Sequence, residues 1–131
     1  MTASSYLVDT NILVNAIRQK KERWELLRQL VETGGSLACS VITTGELYAG
    51  MRPHERHRTM ELLTGFDEYE VTGEIARSAG LLKNEWAVKG FTLTLPDTII
   101  AATAIAHRLV LVTENRKDFP MAQLMFLELG G

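Results

Sequence analysis

Cysteine is almost missing from this chain, net charge is small, and no apolar run is long enough to cross a membrane. The single cysteine, Cys39, excludes an internal disulfide. Its place in the run Ser36-Leu37-Ala38-Cys39 predicts a buried structural thiol rather than a reactive one. A formal net charge of -2 excludes a broadly basic surface, so nucleic acid would have to be held by a local basic stripe or through metal ions. The longest apolar segment, Ile99 to Ala106, is too short for a bilayer and is interrupted by Thr103. Met1-Thr2-Ala3-Ser4-Ser5 has neither the basic start nor the apolar stretch of a signal peptide, so a soluble, cytoplasmic protein with no membrane partner is expected. His54, His57 and His107 lack the spacing of a zinc site and have no cysteine pair to help them. Gly34-Gly35 is not followed by the Lys-Ser/Thr of a phosphate loop, and no Gly-x-Ser-x-Gly elbow occurs. Repeats, low-complexity tracts and linkers are absent too.

What is present is an ordinary globular composition, 46% hydrophobic and 23% charged, over 131 residues. That length fits one domain, residues 1–131, with a substantial core. Short apolar runs alternate with helical periodicities. Strands are predicted at Tyr6-Leu7-Val8, Leu37-Ala38-Cys39, Tyr69 to Val71, Val110-Leu111-Val112 and Leu124 to Leu129. Helices are predicted over Asn11 to Ile17, Lys20 to Glu32 and Val41 to Ala49, the last capped by Ser40. Others follow from Pro53 to about Leu63, over Glu74 to Val88, and from Pro96 to His107. In the second helix Trp24, Leu27, Leu30 and Val31 share one face. This alternation implies an α/β fold, a central, mostly parallel sheet flanked by helices.

Ligands of open parallel sheets bind beyond the carboxyl ends of the strands. Asp9 ends the first strand, Thr113 to Asp118 follow the fourth, Asp97 opens a helix, and Glu46 lies in the helix after the second strand. Four segments can therefore converge on one edge, and their oxygen ligands suit a hard cation such as Mg2+ or Mn2+. Each residue also has a local reading. Asp9 can cap the helix after it, Glu46 can be an exposed helix residue, and Asp97 can complement a helix dipole. Their joint placement is what points to a site.

The segments Leu7-Val8-Asp9-Thr10-Asn11-Ile12-Leu13 and Thr43-Thr44-Gly45-Glu46-Leu47-Tyr48-Ala49-Gly50 come first. Leu95-Pro96-Asp97-Thr98-Ile99-Ile100-Ala101-Ala102 and Leu111-Val112-Thr113-Glu114-Asn115-Arg116-Lys117-Asp118-Phe119 follow in order. With them the chain resembles the PIN-domain proteins, and more narrowly the VapC-type toxin ribonucleases. The resemblance implies a PIN-like fold, Mg2+- or Mn2+-dependent endonuclease activity on RNA, and a cognate VapB-type antitoxin. It assigns Asp9, Glu46 and Asp97 to the metal and Asn115 to the fourth polar position of the site, where many relatives have Asp. Glu114 would point elsewhere, and Asp118 would be structural. Thr10, Asn11 and Thr113 would support the ligands through hydrogen bonds or a water.

Such a site would hydrolyse phosphodiesters, with the cation holding a phosphate oxygen and activating water. Arg52, Arg56, Arg58 and Arg116-Lys117 are candidate guides for RNA phosphates, though any one could simply be solvated. Position 11 is Asn, where a haloacid-dehalogenase-like phosphatase needs a second Asp, and Thr113 stands where a receiver domain has Lys. The alternative is a noncatalytic nucleic-acid- or protein-binding module on the same fold. Apolar residues Ile12, Leu13, Ala16 and Ile17, the Trp24 stripe, and Leu47, Tyr48 and Met51 exceed what one small core needs. Homodimerisation and an antitoxin groove between the first helices and the Glu46 helix are expected from them.

Overall fold

The computed structural model describes residues 4–18 and 20–129. The elements in chain order are β1 (Ser5–Val8), α1 (Thr10–Ile17), α2 (Lys21–Glu32), β2 (Ser36–Ser40), α3 (Val41–Gly50), α4 (Arg56–Leu63) and β3 (Asp67–Tyr69). After these come α5 (Gly73–Val88), α6 (Leu95–His107), β4 (Val110–Val112) and β5 (Met125–Phe126). Two short 3-10 turns, Pro53–Glu55 and Arg116–Asp118, complete the set. The five strands form one sheet in the order β3-β2-β1-β4-β5, and every adjacent pair is parallel.

Successive strand residues point to opposite faces, and both faces are covered. Val8, Leu37, Cys39 and Val112 pack with Ile12, Leu13 and Ala16 of α1 and Leu27 and Leu30 of α2. Leu7, Ala38 and Leu111 pack on the other side with Ile100, Ala101 and Ala104 of α6. Helix α5 adds Ile75 and Ala79 outside α6. Cys39 is buried, as its neighbours predicted.

Four details depart from the sequence reading. Strand β3 lies two residues earlier than Tyr69–Val71. As an edge strand it is fixed by its ladder to β2, Ala38 against Asp67 and Ser40 against Tyr69, rather than by apolar side chains. Strand β5 is only Met125–Phe126, although Leu127 and Leu129 still reach the core. The helix from Pro53 is interrupted: a 3-10 turn precedes α4, and its last residue, Glu55, is buried. Finally, the apolar surplus is smaller than expected. Ile12, Leu13, Ala16 and Ile17 are all buried within the chain, and of the α2 stripe only Trp24, at 38%, and Val31, at 52%, stay exposed.

Candidate active site

The β1–β4 register pairs Val8 with Val112, so Asp9 and Thr113 leave the sheet side by side at its carboxyl edge. The Asp9 N–H donates to the Val112 carbonyl at 2.9 Å. Its carboxylate is fixed at both oxygens. One accepts from the Thr10 N–H at 2.8 Å, which caps α1, and the other accepts from the Thr113 hydroxyl at 2.7 Å. Asp9 therefore caps α1 from the edge where the strands end. It is 5% exposed.

Ser40 ends β2 and caps α3, so that helix leaves the same edge carrying Glu46 on an exposed position. The Thr10 hydroxyl donates to Glu46 Oε1 at 2.7 Å and lies 3.3 Å from the Thr43 hydroxyl, tying α1 to α3. Thr94 caps α6 by accepting from the Asp97 N–H at 3.2 Å, which sets Asp97 in the helix's first turn. Asp9, Glu46 and Asp97 all line one cleft of about 350 Å3, together with Thr10, Asn11, Asn15, Asn115 and Asp118.

Asp118, expected to be structural, lines the same cleft. The turn after β4 is a 3-10 turn, closed by the Asp118 N–H on the Asn115 carbonyl at 2.9 Å. In such a turn residues three apart eclipse, so Asn115 and Asp118 line the same wall. The spacing Asn115-x-x-Asp118 was the available signal. Thr113 fixes the turn from below, its hydroxyl accepting the Asn115 N–H at 3.0 Å. Glu114 does not line the cleft; it is engaged by Arg23 and by the Asn15 amide at 3.0 Å.

The carboxylates sense one another. Burial pushes the Asp9 carboxyl above its ordinary value of 3.8; the Thr113 and Thr10 hydrogen bonds pull it back, and the charges of Glu46 and Asp118 raise it further. Asp97 is raised as well, first by burial and, against the Thr94 hydrogen bond, by the charges of Asp9, Asp118 and Glu46. Among the described residues no three His, Cys, Asp or Glu side chains stand close enough to share an ion; the acids line the walls of the cleft, with Glu46 held by Thr10. Repulsion between carboxylates favours such spreading. The donor set nevertheless fits a hard cation. Every polar group facing the cleft offers oxygen ligands, and Asn11 Oδ1 is buried with no hydrogen-bond partner.

Fold and cleft together define a three-layer α/β protein with an acidic, oxygen-lined pocket at the carboxyl edge of a parallel sheet. The PIN domain family model matches residues 6–123. The chain belongs to the PIN-domain family, among relatives named as VapC ribonucleases. It is 36% identical to Ribonuclease VapC10 of Mycobacterium tuberculosis, over 88% of this chain and 86% of that protein. A toxin-antitoxin complex from Klebsiella pneumoniae contains a chain of the same fold, with TM-score 0.74 and 34% identity, covering 92% of this chain and 95% of that one. VapBC2 from Rickettsia felis, solved bound to a DNA fragment from its promoter, superposes with TM-score 0.80 at 25% identity, over 94% and 97% of the two chains.

Proposed function

We propose that this chain is a divalent-metal-dependent endoribonuclease, the toxin of a toxin–antitoxin pair. The likeness to the VapC ribonucleases supports the activity, and the observation that carries the site is the convergence of Asp9, Glu46, Asp97 and Asp118 on one cleft. In this reading Asp9, Glu46 and Asp97 hold Mg2+ or Mn2+, Asp118 adds the fourth negative charge, and Asn115 is a neutral donor toward phosphate. The cation supplies Lewis acidity toward a phosphate oxygen and toward the attacking water. The protein supplies position. Thr10 and Thr113 hold the Asp9 carboxylate in one rotamer, so no side-chain entropy is lost when it ligates. Thr10 also limits where the Glu46 carboxylate can swing. The neutral amides of Asn11, Asn15 and Asn115 add hydrogen-bonding capacity without further repulsion.

The partners follow from the same reading. RNA is the substrate in this reading and the cytoplasm its compartment; among the described residues no helix is long and apolar enough to cross a membrane. A VapB-type antitoxin fits the groove of about 200 Å3 between α1 and α3, where Val14, Ile17, Leu47 and Met51 lead to Glu46. A basic antitoxin side chain there would reach the acidic cleft and compete with the cation. A homodimer would use α5, where Leu81 and Val88, seven residues apart, are 69% and 85% exposed. Residues 1–131 form one domain in this reading.

The test is cleavage of labelled RNA by purified protein in Mg2+, Mn2+ or chelator, with Asp97→Asn alongside. Cleavage should need the metal and vanish in the variant. No metal-dependent cleavage would leave a noncatalytic nucleic-acid- or protein-binding module as the reading.

A further inference from the structure

The acidic cleft does not end at Glu46. Val14 and Glu46 are shared with the apolar groove between α1 and α3. Ile17, Arg18 and Glu55 carry that groove into a depression lined also by Arg52, His57 and Arg58. Arg58 lines the next hollow too, together with Trp24, Glu61 and Thr64. Four adjoining hollows thus line up from the carboxylates to Trp24 as a shallow trench, and its lining turns from acidic to apolar, then cationic, then aromatic.

The cationic stretch is unbalanced. Its one buried carboxylate, Glu55, is already occupied, accepting from the Arg52 N–H at 2.9 Å and pairing with Arg18 at 3.3 Å. Among the described residues neither Arg52 nor Arg58 has an ion-pair partner. The Arg58 guanidinium lies over the Trp24 ring, 4.9 Å from its centroid, and its Nε is buried without a hydrogen-bond partner. Arg116, beside Asn115, also lies over an aromatic ring but is paired with a carboxylate, Glu128, at 2.9 Å.

We infer that this trench is a subsite for the single-stranded flank of an RNA whose scissile bond lies in the acidic cleft, with Arg52 and Arg58 on backbone phosphates and the part of Trp24 that Arg58 leaves exposed against a base. The inference rests on the ribonuclease reading above. Proteins that hold single strands combine a cationic groove along the phosphates with aromatic faces for the bases. Unpaired guanidiniums beside an exposed indole reproduce that alternation. Between the two ends, Val14, Ile17 and Met51 offer an apolar floor, and the carboxylate beside them, Glu55, is paired with Arg18.

Two RNAs test this, a tetramer that fills only the cleft and a dodecamer long enough to enter the trench. Binding is read in the Asp97→Asn chain, with Trp86→Phe added so that Trp24 is the only tryptophan. The dodecamer should quench Trp24 emission and the tetramer should not. Arg52→Ala removes an exposed side chain but leaves the backbone bond to Glu55, so it should fold. It should weaken dodecamer binding and reduce the salt-dependence slope by about 0.7, the value for one lost phosphate contact on a single strand. Trp24→Ala should weaken binding about five-fold or more, and Trp24→Phe should recover most of it. In the cleavage-competent chain the same changes should raise KM for the dodecamer, with kcat and tetramer cleavage unchanged. Unaltered dodecamer binding and KM in the Arg52 and Trp24 variants would overturn the subsite. So would quenching of Trp24 by an antitoxin peptide and not by RNA, which would assign the trench to protein. Quenching and slope as expected in a protein that cuts neither RNA would uphold the subsite and overturn only the ribonuclease reading.

Discussion

Asp9 meets three demands at once: it ends a strand, caps a helix and faces three other carboxylates. Its raised pKa fixes the sign of a pH effect. Between the ordinary value of 3.8 and the raised one, the folded chain binds more protons than the unfolded chain, so stability falls as pH rises through that window and the cost then stays constant. Asp97 acts in the same direction. Glu55 acts oppositely. The Arg52 N–H and, more weakly, Arg18 hold it below its ordinary value, so its contribution is present at neutral pH and is lost as pH falls through the lowered value. The difference between wild type and Asp9→Asn isolates the first effect. The amide can still accept from the Thr10 N–H and can donate to the Thr113 hydroxyl. In chelator at neutral pH, Asp9→Asn should therefore melt higher than wild type, and the gap should close toward pH 4, the ordinary aspartate range. Magnesium should raise the wild-type melting temperature and leave the variant's unmoved. A variant that melts lower in chelator would contradict this. Thr113→Val leaves Asp9 Oδ2 and the Asn115 N–H without their hydroxyl partner. A loss of about 10- to 100-fold in metal affinity is expected by calorimetry, typical for a group that orients a ligand.

The elements differ in how plainly the sequence announced them. Strands β1, β2 and β4 are buried on both faces, so their apolar runs were visible, and Asp9 and Asp97 could be placed because each stands next to such a run or opens a helix. Strand β3 has acids at two of its three positions and β5 has two residues. Their positions come from backbone pairing with a neighbour, which a side-chain pattern does not encode. Periodicity put Trp24 and Val31 on one face of α2 but could not say that both stay partly exposed, Trp24 beside Arg58. Glu46 was ambiguous alone, because a helical glutamate looks the same whether it faces solvent or a cleft; Thr10 on another helix decides it. The side of the turn on which Asp118 falls could not be read from sequence, because it depends on 3-10 rather than α geometry. One junction offers a sharp test. After the positive φ of Gly34 stops α2, a Cβ on Gly35 would lie 2.6 Å from the Tyr6 ring and 2.8 Å from the Leu30 carbonyl oxygen. Gly35→Ala must shift backbone as well as a ring, and should cost about 1–3 kcal/mol in urea unfolding, as overpacking does. Gly34→Ala meets no atom within 4 Å and should pay only for the left-handed backbone.

At the scale of the molecule, a net charge of -2 conceals an uneven distribution. Acids gather at the carboxyl edge of the sheet, while among the described residues Arg52, just before the 3-10 turn, and Arg58 of α4 have no ion-pair partner. Self-association, in the proposed reading, uses the opposite helical layer. Light scattering at micromolar concentration should give a dimer, and Leu81→Glu with Val88→Glu should return it to a folded 14.6 kDa monomer whose melting temperature no longer depends on concentration. A wild-type monomer would remove α5 from that role. The order of the strands bears on timing as well. β1 is the first strand made, yet its neighbour β4 is next to last, and the Thr113 hydroxyl that fixes Asp9 lies 104 residues further along the chain. A nascent chain that has not reached Val110 lacks one flank of its central strand, the turn that carries Asp118, and the group that orients Asp9. In the proposed reading, translation must therefore pass Val110 and the turn after β4 before a cleaving centre can form, so chains that stop short of it are inert.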